Sequence, residues 1–167
     1  MSKYPSFPEV GFARLAEHFI DGAKLVAKDD DRGDVSEQRL FPLFFPFLFL
    51  IGHALELAYK AVLLEDGATE ADLKRIGHDL MKCRRRVHAC RRGLLAELEE
   101  PGTEEIVGMI GPYYKAKAFE YHLTGLYPGL PADPNQVVTI TARTVKNIQV
   151  WLRSRARRKI RAARNGI

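Results

Sequence analysis

The pair of residues with the clearest catalytic potential in this sequence is Arg84 and His88, which stand one helical turn apart. A guanidinium can bind and neutralise a phosphate, while an imidazole can move the proton of a ribose 2′-hydroxyl. The same spacing occurs at Arg14 and His18, so it also arises by chance. Two interpretations stay open: a metal-independent ribonuclease site, or a solvated basic face with an incidental histidine.

A second group of polar residues interrupts an apolar segment. His53, Glu56 and Lys60 fall at i, i+3 and i+7, which places them on one stripe of a helix and orders Glu56 and Lys60 for an ion pair. Buried charges are costly unless they are paired, so this stripe should face a polar cavity, a partner helix or a ligand. Asp79 is predicted to cap the next helix, and His78 is placed to reach the stripe. We therefore predict a polar seam or a ligand site.

The histidines and cysteines do not predict a metal or another cofactor. His53 and Glu56 have the spacing of a ligand pair, but the sequence lacks the second helical carboxylate–histidine pair of a di-iron bundle. Cys83 and Cys90 are the only cysteines. On a helix they would lie roughly 10 Å apart, too far for a disulfide. We expect both to be small buried residues in a reducing compartment.

Positive charge is concentrated in two stretches of the chain. The net charge is +5, and residues 82–92 hold six basic residues while residues 153–164 hold seven, with no acid in either stretch. The rest of the chain carries 13 basic against 21 acidic residues. Such concentration is typical of surfaces that bind nucleic acid, and here it predicts contacts from Arg85, Arg86, Arg91 and Arg92. The alternative is a solvated helix face and a frayed basic tail over residues 153–167.

A helical scaffold must hold these residues. The length of 167 residues suits a single domain over 1–167, and apolar residues recur at steps of three and four with little strand alternation. The predicted helices run from Pro8 to Lys28, Pro42 or Pro46 to Gly67, Thr69 to Gly77, His78 to Leu98, Thr103 to Tyr121 broken or kinked at Gly111-Pro112, and Asp133 until it frays into the basic tail. Thr69 and Asp72 predict a capping box, Thr103 predicts a helix cap, and residues 126–134 predict a proline-rich loop. We predict an all-α bundle of about five to six helices.

The most apolar segment, residues 40–64, is expected to be a buried helix rather than a membrane span. Pro42 and Pro46 interrupt its first part, and charged residues enter its second part. The unbroken apolar run is shorter than the roughly 20 residues that a bilayer requires. With no apolar leader over residues 1–8, we predict a cytoplasmic protein without membrane contact.

Several of these segments resemble the HEPN superfamily of small helical proteins. The similarity rests on residues 46–51 (PFLFLI), 52–61 (GHALELAYKA) and 77–80 (GHDL), with a weaker echo at 113–125 (YYKAKAFEYHLTG). It covers roughly residues 42–98. The resemblance implies an antiparallel helical bundle, homodimerisation, a link to RNA or nucleotides, and a nucleotidyltransferase-like protein partner. Many members are metal-independent ribonucleases of toxin–antitoxin and defence systems.

The resemblance also implies a nuclease motif, which this sequence departs from. Family members place four to six residues between the arginine and the histidine, whereas Arg84 and His88 have three. Lys82 and Lys117 precede a histidine at the family spacing, but lysine lacks the bidentate fork of arginine. The main prediction is therefore a non-catalytic dimer that binds RNA, a nucleotide or a protein. The alternatives are a ribonuclease using Arg84 and His88, and a structural or antitoxin-like interaction module.

Overall fold

Seven helices pack together in the part of the chain that the structure describes. A computed structural model describes residues 7–30, 44–91, 93–117 and 133–164, and it contains no strand in these ranges. The helices are Pro8–Asp30 (α1), Phe44–Glu65 (α2), Glu70–Ile76 (α3), Leu80–Cys90 (α4), Leu94–Leu98 (α5), Thr103–Lys115 (α6) and Pro134–Arg164 (α7). The prediction of an all-α bundle is confirmed.

Helix α2 is the core of the bundle and contacts α1, α4, α6 and α7. Fifteen of its 22 residues are buried, as expected for a helix that is apolar on nearly all faces. By length and composition alone this helix could cross a membrane, but 72% of its most apolar window is buried by the rest of the bundle. That burial is typical of the core helix of a soluble protein.

Two helix starts follow the sequence signals. At α3, the Thr69 hydroxyl accepts from the backbone N–H of Asp72 at 3.2 Å, and Asp72 accepts from the backbone N–H of Thr69 at 2.9 Å. At α4, Asp79 accepts from the backbone N–H of Lys82 at 2.9 Å. The predicted capping box and the predicted cap at Asp79 are both confirmed. They fix the turn that carries His78.

The helix predicted over residues 78–98 is divided into α4 and α5. Gly93 adopts a φ of 83°, which a continuous helix does not allow, and it precedes the first residue of α5. Cys83 and Cys90 both lie on α4, and Cys83 is buried whereas Cys90, the last residue of that helix, is exposed. The prediction that both cysteines are buried was therefore wrong for Cys90.

Helix α6 is not broken at Gly111-Pro112, because it continues through Pro112 to Lys115, so the alternative of a break was wrong. Only three helical residues follow the proline, so it removes a single N–H near the end of the helix. The predicted cap at Thr103 is wrong as well. Gly102, with a φ of 92°, occupies the cap position, and the Thr103 hydroxyl donates to the Glu100 carbonyl at 2.7 Å.

The basic segment after residue 153 is helical as far as Arg164, so the predicted fraying is wrong over the described residues. Leu152 and Ala156 pack into the core. Glu65 at the end of α2 accepts from Arg155 Nε at 2.8 Å and from Lys159 Nζ at 2.7 Å, which holds the second half of α7 on the bundle. The predicted proline-rich loop 126–134 lies largely outside the described residues.

Candidate functional site

Glu56 lies at the centre of a polar cluster inside the bundle. Its side chain is 1% exposed. Lys60 Nζ donates to Oε1, the Tyr114 hydroxyl donates to Oε2 at 2.6 Å, and His78 Nδ1 lies 3.1 Å from Oε2. We call His53, Glu56, Lys60, His78 and Tyr114 the Glu56 cluster. It joins α2, the turn before α4, and α6.

His53 completes this cluster and is held by aromatic rings. Its Nδ1 lies 2.7 Å from the Tyr114 hydroxyl oxygen. The imidazole stacks on Phe49 with 5.4 Å between ring centroids. It also makes an edge-to-face contact with Phe19, with 4.4 Å between the centroids. Asp79 does not join the cluster, because it caps α4 and pairs with Lys115 at 2.9 Å. The structure thus brings together four of the five residues of the predicted seam.

Tyr114 is the member of the cluster that the sequence analysis missed. Its ring lies directly over Gly52, where an added Cβ would come within 2.6 Å of Tyr114 Cδ2. The signal that could have found this contact is Gly52 itself. A glycine inside a helix costs about 1 kcal/mol relative to alanine, so close packing against another side chain is one reason for its presence. Here it makes room for the tyrosine that bonds to Glu56.

The contacts of Glu56 keep its carboxyl group ionised at neutral pH. Burial raises its pKa, but the hydrogen bonds from Lys60, Tyr114 and His78 outweigh burial and leave the pKa below its ordinary value. For Asp79, burial likewise raises the pKa, and Lys115 together with the backbone N–H of Lys82 lowers it further than burial raises it. Both groups are therefore anions that the native structure stabilises.

Arg84 forms a separate group of ion pairs on the α4 side of the bundle. Its Nε and Nη2 lie 2.9 Å from Glu99 Oε1 and Oε2, and its Nη1 lies 2.9 Å from Glu104 Oε1. The Tyr59 hydroxyl donates to the same Glu99. Hydrogen bonding to Glu99 raises the pKa of Arg84, while burial raises the pKa of Tyr59 well above its ordinary value.

Glu99 and Glu104 bind the Arg84 guanidinium, which would have to bind phosphate if the chain were a ribonuclease. The Arg84 side chain is only 21% exposed and is turned towards Glu99, whereas His88, one turn further along α4, is exposed. A phosphate would have to displace both Glu99 and Glu104 to reach the fork. The catalytic use of Arg84 and His88 stays a prediction, but this geometry does not favour it.

We expect Arg84→Lys to lower the free energy of unfolding by about 1.5–3 kcal/mol, the usual value of a hydrogen bond to a charged group. Lysine keeps the charge but cannot make the bidentate pair with Glu99. Urea denaturation at pH 7 measures the effect. Arg85→Lys is the matched control, because Arg85 is exposed and has no salt bridge among the described residues. Equal stability of the two variants would contradict this structural role for Arg84.

The other basic residues of the first stretch differ in their surroundings. Arg85 and Arg86 are exposed, and neither makes a hydrogen bond or salt bridge within the described residues. Arg91 Nε lies 2.7 Å from Asp66 Oδ1. The Arg91 guanidinium also lies over the Trp151 ring, with its Cζ 5.7 Å from the ring centroid. The Nε–H of Arg91 makes no hydrogen bond to this carboxylate, so the contact with Asp66 is ionic. Arg92 lies outside the described residues.

Five of the seven basic residues over 153–164, the second half of α7, are exposed and form no salt bridge among the described residues. Arg155 and Lys159 bind Glu65. The remaining five are exposed and have no salt bridge in the described part of the chain: Arg153, Arg157, Arg158, Arg161 and Arg164. Arg153 and Arg157, together with Arg14 of α1, line a groove of about 440 Å³ between α1 and α7. Arg14, Arg153 and Arg157 form no salt bridge among the described residues, so a ligand can reach them in this groove without displacing a carboxylate.

Comparisons with protein-family models, with curated proteins and with solved structures find no match. The HEPN resemblance therefore stays a prediction that rests on the segments given above.

A group of metal-ligating side chains lies within the Glu56 cluster. His53, Glu56 and His78 each offer one ligand atom, and these atoms lie within 4.8 Å of one another. The His78 side chain is 50% exposed and borders a cavity of about 390 Å³ that is also lined by Phe12 and Lys74. The cluster is therefore accessible from solvent on the His78 side, although Glu56 is buried.

Proposed function

We propose that this chain is a HEPN-like helical domain that binds RNA without cleaving it. The observation that carries the proposal is the set of five exposed arginines on α7 that form no salt bridge in the described structure. An arginine that is already paired must lose its partner before it can bind phosphate, whereas these five do not. Phosphate neutralisation by such residues supplies most of the affinity of non-specific RNA binding.

The groove between α1 and α7 supports a defined place for part of the RNA. Arg14, Arg153 and Arg157, which form no salt bridge with any residue that the structure describes, line it beside apolar residues such as Phe7 and Ile160. Guanidinium groups bind phosphate oxygens bidentately, and the apolar walls offer contact to sugars or bases. A single-stranded RNA fits this combination better than a small inorganic anion does.

The contacts of Arg84 support binding rather than cleavage. All three nitrogens of its guanidinium donate to Glu99 or Glu104. The arginine that would have to bind phosphate beside His88 is therefore already bound to carboxylates. The proposal further includes a homodimer in the cytoplasm, acting with a nucleotidyltransferase-like partner in a defence or toxin–antitoxin type system. These features follow from the HEPN resemblance, and analytical ultracentrifugation of the purified chain tests the dimer.

We expect the full chain to bind a fluorescein-labelled single-stranded RNA with an affinity that falls steeply between 50 and 200 mM salt. The triple variant Arg14→Gln/Arg153→Gln/Arg157→Gln removes the cations of the groove. Each lost phosphate contact reduces the slope of log K against log salt by about 0.7, so the slope should become shallower by about 2. Fluorescence anisotropy titrations at several salt concentrations measure it.

The matched control replaces three exposed lysines that do not line the groove, Lys28, Lys74 and Lys146, by glutamine. It changes the net charge equally and should leave most of the slope intact. Equal losses in the two triple variants would reject the groove as the binding site. RNA cleavage in EDTA that disappears in His88→Ala would favour the ribonuclease, and an absence of salt-dependent affinity would favour a protein-interaction module.

A further inference from the structure

The donor atoms of the Glu56 cluster are arranged as a metal ion would need them. His78 Nδ1 and His53 Nδ1 lie 3.1 and 3.9 Å from Glu56 Oε2. Zinc bonds of about 2.0–2.2 Å to nitrogen and oxygen place neighbouring donors of a tetrahedral site roughly 3.3 Å apart. The three atoms lie within 4.8 Å of one another, so the widest pair has to close by up to about 1.5 Å for all three to bond one ion.

The chemistry of this donor set is selective. Two imidazole nitrogens and one carboxylate oxygen are the protein ligands of many catalytic zinc sites, which leave a fourth position open. Imidazole also suits the neighbouring transition metals, whereas calcium and magnesium prefer oxygen ligands alone. The expected ion is therefore a divalent transition metal such as zinc.

The surroundings of the three ligands hold them in place. Lys60 binds Glu56 Oε1, which leaves Oε2 to face the histidines and keeps the carboxyl group anionic. Phe49 and Phe19 pack on the His53 ring. Partners that orient a ligand in this way are a regular feature of metal sites. The ammonium of Lys60 is a like charge near the ion, so it weakens the affinity but does not occupy the ligand oxygen.

Access and the fourth ligand are also available. The half-exposed His78 borders the cavity of about 390 Å³, from which an ion and a water molecule can enter. The Tyr114 hydroxyl lies 2.6 Å from Glu56 Oε2 and 2.7 Å from His53 Nδ1. An ion within bonding distance of both atoms would contact this hydroxyl oxygen, which therefore has to move aside or supply the fourth ligand.

We propose that His53, Glu56 and His78 form a binding site for one divalent transition metal ion per chain, with zinc as the expected ion. Both imidazoles are neutral when they bind, each with the Nδ1 lone pair on the metal and the proton on Nε2. The site is separate from the arginines of α1 and α7, so it does not depend on the proposed RNA binding.

The test uses the full chain in a Cys90→Ser background, because Cys90 is an exposed thiol that could itself bind metal. The protein is first treated with a chelator and then titrated with Zn²⁺ by calorimetry and with Co²⁺ by visible absorption. We expect one ion per chain, ligand-field bands of a four- or five-coordinate cobalt site, and a rise in the melting temperature with zinc.

Variants distinguish this site from adventitious binding. His78→Ala removes a half-exposed ligand and should weaken zinc affinity by at least about tenfold, since even supporting residues of metal sites matter to that extent. His53→Ala should do the same. The controls His18→Ala and His88→Ala remove exposed histidines and should leave binding unchanged. Unchanged affinity in His78→Ala, or no saturable binding by the parent chain, would overturn the proposal and leave the cluster a hydrogen-bonded support of the fold.

Discussion

Replacing Glu56 by leucine is expected to lower the free energy of unfolding by about 3–5 kcal/mol, the usual cost of removing one partner from a buried ion pair. The Lys60 side chain is only 12% exposed and would lose its carboxylate. The Tyr114 hydroxyl and His78 would lose an acceptor at the same time. Since domains of this size have a free energy of unfolding of about 5–15 kcal/mol, the variant should be only marginally stable.

A double-mutant cycle with Lys60→Met separates the ion pair from the rest of the cluster. Lys60→Met alone leaves the Glu56 carboxylate buried beside Tyr114 and His78 without its cation. The double variant Glu56→Leu/Lys60→Met removes both charges, so it should lose clearly less stability than the sum of the single variants. Urea midpoints at pH 7 give the three values. Additive losses would show that the two side chains do not act as a pair.

The same carboxylate contributes to the pH dependence of stability. The pKa of Glu56 is lower in the native state than in the unfolded chain, where a glutamic acid titrates near about 4.3. Its stabilisation is therefore complete above that value and is lost as the pH falls through the native pKa. Glu56→Gln should flatten the decline of stability below about pH 5. Glu97→Gln, at an exposed residue, is the matched control.

Local sequence signals predicted the parts of the fold that depend on neighbours in the chain. The capping box at Thr69 and the cap at Asp79 involve residues three positions apart, so their side-chain types were sufficient. The burial of α2 followed from an apolar composition on nearly all faces. The stripe of His53, Glu56 and Lys60 was predictable because all three residues lie on one helix, so their spacing alone places them on one face.

The partners of these side chains were not predictable, since they come from distant positions. Tyr114 is 58 residues from Glu56, and Glu99 is 15 residues from Arg84 across a break between two helices. That break depends on Gly93 adopting a positive φ, which an apolar periodicity does not report. Arg84 therefore resembled a free phosphate ligand in the sequence, whereas its carboxylate partners lie beyond the turn.

Gly52→Ala is expected to destabilise the bundle by ~1–2 kcal/mol net, because so close a contact lies at the upper end of the cost of overpacking a core. An added Cβ would come within 2.6 Å of Tyr114 Cδ2, and the Tyr114 ring is only 4% exposed. The ring is also held by its hydroxyl, which bonds to Glu56, so it cannot move without breaking that bond. The higher helix propensity of alanine, about 1 kcal/mol, offsets only part of this cost.

Gly108→Ala in α6 is the matched control for that substitution, because nothing lies within 4 Å of an added Cβ there. It should stabilise the protein by about 0.5–1 kcal/mol through helix propensity alone. In a Tyr114→Ala background the obstacle at residue 52 is gone, so Gly52→Ala should become neutral or stabilising. If it remained equally costly without the ring, contact with Tyr114 would not be the reason for glycine at this position. Urea denaturation of the four variants, including the double variant, decides between the two outcomes.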